Sequence, residues 1–387
     1  MSDKLRLVVL GMLGRAPYAG VAWQALHYLE GFRRLGYDVY YVEDTAKWPP
    51  YGLDYTLNYI ARLMAWCGLS DRWAYRSGAT GETFGLSASQ VSRLFDGADV
   101  LVNLTGATLL RDEHLRVPVR IYLETDPVLP QIGVAQGHRF TIDLLSGHTH
   151  HFTYGENLGA PDCEVPLGRF DYHTTRQPIV LDWWPPAELS SNGSRKPSTD
   201  SRFTTIATWQ QSGKDVEWNG KTYTWSKHLE FLKLIDLPRR TEQQLELALA
   251  CGDDEAIQLL ASHGWRTIDA LALSKDILPY RSYIRGSRGE FTVTKPQYFR
   301  PRSGWFSDRS ACYLAAGRPV ITQDTGFGNI LPTGRGLFAF RTMEDILRAM
   351  DAIESDYEEH RRAAWHVATE YFAAEKVLSS LMEQANS

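Results

Sequence analysis

Cysteine is scarce and scattered: Cys67, Cys163, Cys251 and Cys312 are the only four in 387 residues, and no two form a Cys-x-x-Cys pair. That spacing excludes a disulfide-built framework. No apolar stretch reaches the roughly 18 residues of a membrane span, and Met1–Lys4 leads straight into a strand pattern instead of a secretory leader. The expectation is a cytoplasmic protein with no integral membrane segment. No basic run offsets the formal net charge of -5 and the pI near 6.1. This argues against a phosphate-backbone binder, and so against nucleic acid as a partner. An Asp-x-Asp pair is missing too, which removes the simplest carboxylate motif for a metal. The glycine-bearing turn "GMLGRAPYAG" lacks the third glycine of a dinucleotide fingerprint, so the case for a nicotinamide cofactor is weak.

What is present is a soluble, well-filled composition, with hydrophobic content of 43% against 22% charged. The length favours two domains. Leu5–Leu10 is a continuous apolar run closed by Gly11 and Gly14. A helix is predicted over Ala22–Leu35 from the stripe Ala22, Ala25, Leu26, Leu29 and Phe32, and Asp38–Val42 returns as a strand. Further strands read at Ala98–Leu104, Val117–Leu123 and His151–Tyr154, giving an α/β sheet of Rossmann type. The Pro- and Ser-rich stretch "PPAELSSNGSRKPSTDS" then reads as a linker, after which the alternation restarts at Phe203–Thr208. The organisation predicted is a Rossmann-like domain over 1–184, a linker over 185–202, a second Rossmann-like domain over 203–370 and a helix over 371–387. A cleft between the two domains is expected. Twelve tryptophans are an unusual stock; Trp48, Trp73, Trp183, Trp184 and Trp218 fall in predicted loops, where tryptophans either pack or stack on ligands.

The most informative stretch is "GWFSDRSACYLAAGRPVITQDTGFGN", Gly304 to Asn329. Ser307 stands at an N-cap position, and Ala311, Leu314 and Ala315 give a short buried helical face. Gly317 and Pro319 stop the helix, and Pro-Val-Ile-Thr forms a strand that ends at Asp324, Gly326 and Gly328. Two readings stand side by side. One is a packed βαβ unit with ordinary caps. The other is an anion site built from the helix N-terminus, the hydroxyls of Ser307 and Ser310, the Arg309 guanidinium beside Asp308, and the glycine turn, with Asp324 suited to a sugar or ribose hydroxyl.

This stretch resembles nucleotide-sugar glycosyltransferases of GT-B architecture, in which a short helix is followed by a Gly-x-Pro-Val-Ile strand and a Gly-rich turn, as in Gly317–Ile321 with Gly326. The tail "EHRRAAWHVATEYFAAEKVLSSLMEQ" is similar to the ends of such enzymes. The resemblance implies two facing Rossmann-like domains, a donor site in the second, and last helices that cross back to the first. It also implies basic residues near the donor diphosphate, for which Lys214 and Lys295 are candidates, each with a solvated-loop alternative. The sequence departs from the family where many retaining members carry paired glutamates, having Cys312 and Gly304 there.

On the first half the acceptor side is expected at Gly11, Gly14 and Tyr18. "RIYLETDP" ends a strand with Glu124 and Asp126, either of which is a candidate general base or else a helix-capping carboxylate. "GHTHH" offers His148 and His150 as a base or acceptor contact; no carboxylate or cysteine sits at metal-ligand spacing, and no metal site is expected. The function expected is metal-independent, hexosyltransferase-like transfer of a sugar from a nucleoside-diphosphate donor to the hydroxyl of a small molecule or glycan, with no cofactor beyond that donor. A nucleotide-sugar epimerase, a sugar phosphorylase or a non-catalytic nucleotide-sugar-binding protein is the alternative.

Overall fold

The computed structural model describes residues 4–45, 49–186 and 202–386. They divide into two units: Met1–Gly155, Pro166–Val180 and Ala374–Ser387 form the first, and Glu156–Val165 with Leu181–Ala373 the second. The stretch predicted as a linker falls almost wholly on 187–201, outside the described residues, as does Trp48. No helix among the described residues is long and apolar enough to cross a membrane.

The first unit is built on strands β1 (Arg6–Leu10), β2 (Asp38–Glu43), β3 (Trp73–Arg76), β4 (Thr83–Gly85), β5 (Val100–Leu104), β6 (Val119–Glu124), β7 (His150–Thr153) and β8 (Tyr172–Thr174). They form one eight-stranded sheet in the order β4-β3-β2-β1-β5-β6-β7-β8, parallel except for the β3–β4 pair. β1 is buried on both faces because helices cover both sides, which is why it reads as an unbroken apolar run. The chain winds outward one way from β1 to β4 and the other way from β5 to β8, so the order reverses between β1 and β5. In open α/β sheets ligands sit beyond the carboxyl ends of the strands at such a reversal.

The helix predicted over Ala22–Leu35 runs from Ala19 to Arg34, with the whole predicted stripe buried, and stops where Gly36 takes a φ of 95°. Against it lies the final helix, Ala374–Ala385, which belongs to this first unit. Gly31 makes that packing possible: a Cβ there would stand 2.4 Å from Leu378 Cδ1.

The second unit holds β9 (Arg202–Thr208), the hairpin strands β10 (Val216–Trp218) and β11 (Lys221–Tyr223), then β12 (Gln244–Ala250), β13 (Arg266–Asp269), β14 (Gly289–Thr292), β15 (Val320–Gln323) and β16 (Leu337–Phe340). Its six-stranded sheet has the order β13-β12-β9-β14-β15-β16 and is parallel throughout. Here the order reverses between β9 and β14. The hairpin turns on Asn219 and Gly220, both at positive φ, the pattern a two-residue turn demands. Phe203, Leu245, Leu247, Trp265, Phe291 and Ile321 centre the core; burying each side chain of this size contributes about 1.5–3 kcal/mol.

Two expectations change here. Glu156–Val165, read as part of the first domain, is tied to the second unit by backbone bonds from Asn157 N to Ser303 O (3.1 Å) and from Glu164 N to Pro301 O (2.9 Å). Trp73 and Trp184, read as loop residues, are buried, Trp73 within β3 and Trp184 completely.

Candidate functional site

At the carboxyl edge of the second sheet, β9 and β14 end side by side at the reversal. The loop after β9 carries Lys214 and the residues after β14 carry Lys295. Both ammonium groups converge on one indole: Lys295 Nζ lies 3.1 Å and Lys214 Nζ 4.4 Å from the Trp225 ring centroid. An aromatic face attracts cations electrostatically, so Trp225 gathers two positive charges without neutralising them. The surroundings fix this arrangement. Trp225 N–H donates 2.7 Å to Asp215, and fully buried Gln297 donates to the carbonyls of Lys214 and of Tyr223, the latter at 3.2 Å. Lys295 Nζ also reaches the Tyr298 hydroxyl at 3.4 Å, and the Tyr298 ring stacks on Trp305 with centroids 4.2 Å apart. Trp305 is two residues before Ser307, the N-cap of helix Asp308–Ala315. Sequence reading found the two lysines but missed Trp225, Gln297 and Tyr298. The Asn-Gly hairpin signal just ahead of "YTWSK" was the available clue to Trp225.

The Arg309 expectation is corrected. Its guanidinium turns inward: it pairs with Glu290 at 2.5 Å, donates 2.6 Å to Ile206 O and 3.0 Å to Thr292 Oγ1, and its side chain is 12% exposed while that of Glu290 is 0% exposed. It ties the helix to β9 and β14 instead of facing an anion. Ser310 is likewise fully buried. Ser307 remains at the helix start, and its side chain makes no capping bond. Asp308 is half-buried beside it. Asp324, read as a sugar-hydroxyl partner, is engaged on both oxygens: Gly326 N–H donates to one (2.8 Å), and Arg302 (3.0 Å) and Arg341 (2.7 Å) meet the other. Gly326, with φ 96°, lies where a Cβ would approach Asn157 Nδ2 at 3.0 Å, and Gly328 sits in a short 3-10 turn. The glycine turn therefore packs on Asn157. Gly304 does so even more tightly, since a Cβ there would stand 2.3 Å from Asn157 N at a φ of 80°. No glutamate fits that position, which explains one half of the departure from the paired-glutamate pattern.

The carboxyl edge of the first sheet has another character. The turn after β1 closes on the protein itself: Leu13 N–H donates 2.9 Å to the Tyr41 hydroxyl, while Gly14 and Arg15 N–H donate 2.7 and 2.8 Å to the Glu43 carboxylate. Gly11 and Gly14 are glycines because Tyr41 and Thr56 crowd them, with 2.6 and 2.4 Å left for a Cβ. This corrects their reading as an acceptor-lining turn. Burial pushes Glu43 up to about 7 against the pull of its hydrogen bonds. Tyr18 keeps a surface role, its hydroxyl 2.9 Å from that of exposed Tyr51.

After β6, Glu124 is buried and Asp126 half-buried. The histidines do not share a face. His148 is buried, between Asn103 Nδ2 (3.1 Å) and Leu144 O (2.9 Å), and burial lowers it to about 4. His150 starts β7, its Nδ1 2.9 Å from Thr149 Oγ1, and partial burial lowers it as well. Neither faces an open site as a ready base.

Among the described residues, Asp44, Glu113 and His114 bring one ligand atom each to within 4.8 Å of one another. Two guanidiniums already neutralise the group: Arg76 bonds Asp44 (3.0 Å) and Glu113 (2.7 Å), and Arg111 pairs with Asp44. Those cations stand where a metal ion's charge would be. The loops after β9 and β12, Trp209–Ser212 and Ala250–Asp253, line a cavity of about 320 Å³.

No protein-family model matches this sequence, and no curated protein does. Solved structures match nearly end to end. The chain is similar to an alpha-glucosyltransferase in complex with UDP and a 13-mer DNA, at 9% identity over 99% of this chain and 100% of that one, with a TM-score of 0.57. The fold is GT-B. Similar as well are Anabaena HepE in complex with UDP and glucose (9% identity, 99% of each chain, TM-score 0.56) and AviGT4, a glycosyltransferase involved in avilamycin A biosynthesis (11% identity, 99% and 97%, TM-score 0.55). At these identities the likeness carries the GT-B fold, and roles for residues rest on the geometry above.

Proposed function

We propose that this protein is a glycosyltransferase that moves a sugar from a nucleoside-diphosphate donor to an acceptor hydroxyl, with no metal ion and no cofactor beyond the donor. One observation carries the reading: Lys214 and Lys295 converge on Trp225 at the strand-order reversal of the second sheet. It is supported by the fold, which is shared with structures solved with UDP. Two ammonium groups held by an aromatic ring suit a diphosphate whose negative charge grows as the glycosidic bond breaks. The N-terminus of helix Asp308–Ala315, with Ser307, lies at the same sheet edge and adds backbone donors for the same anion. The cavity lined by Trp209–Ser212 and Ala250–Asp253, at the same sheet edge, is of a size for a nucleoside. On the first unit Asp126, at the end of β6, is the base that takes the acceptor proton. A small molecule or a glycan is the acceptor in this reading, because a net charge of -5 and the lack of a basic run argue against a phosphate-backbone partner.

The test is thermal shift with UDP, TDP and GDP in the presence of EDTA, followed by release of free nucleotide from the matching sugar donor. Stabilisation by at least one diphosphate without metal, and turnover of its sugar conjugate, are expected. A melting temperature indifferent to all three, with or without magnesium, refutes the donor site. Binding without turnover over a panel of acceptors turns the reading into that of a non-catalytic nucleotide-sugar binder.

A further inference from the structure

The turn that follows β6 holds a backbone conformation that has to be enforced. Val128 is β-branched and completely buried, yet its φ is 88° and its ψ -55°. This is the rare γ-turn region, strained for any L-residue and an outlier for a β-branched one. Such strain, of order 1–3 kcal/mol, persists only where neighbouring groups over-determine it.

A chain of side-chain bonds supplies the enforcement. Val128 N–H donates 2.7 Å to Gln131 Oε1, and Gln131 Nε2 donates 2.7 Å to Glu124 Oε2. The same carboxyl oxygen accepts 2.5 Å from Thr153 Oγ1 on β7, which itself accepts 3.0 Å from Gly155 N–H. Glu124 is thus the node joining the end of β6, the helix Leu129–Ala135 and the end of β7. Its residue is 2% exposed, and its second oxygen, Oε1, has no hydrogen-bond partner among the described residues.

We infer that Glu124 is a positioning residue: it clasps the Thr125–Val128 turn, and with it Asp126, while taking no part in proton transfer from the acceptor. The role of Asp126 as base rests on the glycosyl-transfer reading; the clasp does not. A charged carboxylate with one oxygen buried and unbonded would be costly, whereas the neutral acid keeps both accepted bonds. Burial pushes Glu124 up to about 8, against the pull of the bonds from Thr153 and Gln131, and Asp126 adds to the rise. The titratable groups facing it are Asp126 on the turn, Tyr122 on its own strand and Tyr172 on β8, whose hydroxyls burial and Glu124 keep protonated. No cation is among them.

The experiment compares wild type, Glu124→Gln and Glu124→Ala by melting from pH 5 to pH 9 and by amide hydrogen exchange at Val128. From the ordinary value of 4.5 up to about 8 the unfolded chain has released this proton and the folded chain has kept it. The wild type therefore loses stability as pH rises through that window. Glutamine copies the neutral acid's bonds and does not titrate, so its melting temperature should gain on the wild type by several degrees between pH 5 and pH 9. Exchange at Val128 should quicken ~10-fold or more in Glu124→Ala and return to near the wild-type rate in Glu124→Gln. A glutamine-to-wild-type gap that is flat with pH, or a Val128 amide indifferent to the alanine change, overturns the clasp. If Glu124→Ala does not fold, Gln131→Ala cuts the same chain one bond further along and decides the exchange result. Neither readout needs donor or acceptor, so a failure of nucleotide binding leaves this test intact.

Discussion

The sheets of the two units both reverse strand order at their centre, and they differ in the charge they present at the carboxyl edge. In the first, carboxyl groups at the ends of β2 and β6 turn inward, where burial pushes Glu43 and Glu124 up to about 7 and 8. In the second, the residues after β9 and β14 hold two lysines over an indole. The reversal of strand order sets where a ligand can sit, and the loops decide its sign. The first edge keeps these carboxyl groups buried and leaves half-buried Asp126 after β6; the second suits an anion. The proposed transfer, which takes a proton from an acceptor hydroxyl and releases an anionic diphosphate, draws on both.

Arg309 gives the strongest way to break that contrast. If it belonged to the cationic edge, Arg309→Ala would weaken nucleotide binding and leave the fold intact. Its pairing with fully buried Glu290 predicts the reverse. Removing one partner leaves a buried charge uncompensated, a loss of about 3–5 kcal/mol. Chemical denaturation should show that loss, and Arg309→Met combined with Glu290→Gln should recover part of it. A variant of normal stability with lost diphosphate affinity would return Arg309 to the donor site.

The next effect belongs to the first edge. Glu43 has a folded value raised to about 7 from the usual 4.5, mainly by burial. Its contribution to stability is therefore whole below pH 4.5 and is lost as pH climbs toward 7. The wild type should melt higher at pH 5 than at pH 7.5, by roughly 5 °C for a shift of this size. Glu43→Gln should lessen that slope, leaving the part that belongs to Glu124. Its one carbonyl oxygen still accepts from Gly14 N–H and the Tyr41 hydroxyl, and the bond from Arg15 N–H is lost. A slope unchanged in the variant would show that Glu43 is ionised in the fold and that the two edges differ less than the geometry implies.

How far the sequence carried these assignments depends on the range of the interaction. Apolar runs placed β1, β2, β5, β6, β7, β9 and β15 within a few residues, because burial on both faces leaves a local mark. Strands β3, β4 and β8 left none, being three or four residues long and defined by their pairing partners. The two lysines were legible as cations after strands. Their shared indole was not, since it stands eleven residues beyond one and seventy before the other. Arg309 misled for the same reason: its partner Glu290 is nineteen residues earlier, and a charge at a helix start looks identical whether its side chain turns outward or inward. Gly11 and Gly14 were read for ligand approach when the approaching groups were Tyr41 and Thr56.

Within the second edge the lysines should rank, Lys295 above Lys214. Lys295 is half-buried, closest to the Trp225 ring and bonded to Tyr298, so its ammonium is already placed. Lys295→Ala should weaken binding of whichever nucleoside diphosphate stabilises the protein about 10-fold, the loss of one charge-assisted contact. Lys214 is exposed, its backbone anchored through Gln297 and its ammonium farther from the Trp225 ring, at 4.4 Å. An exposed ammonium on a long flexible stem must give up rotamer freedom to meet the diphosphate, and salt screens what it gains. Lys214→Ala should therefore cost only about two- to fivefold in affinity near 0.05 M salt, and the difference from wild type should fade by about 0.5 M. The Lys295→Ala deficit should persist over the same range, because a half-buried charge is screened less. Isothermal titration of both variants at the two salt concentrations makes the comparison. Equal, salt-sensitive losses would mean that both lysines act at long range and that Trp225 organises neither; a Lys214 deficit that outlasts salt would place the more exposed lysine in direct contact with the phosphates and reverse the ranking.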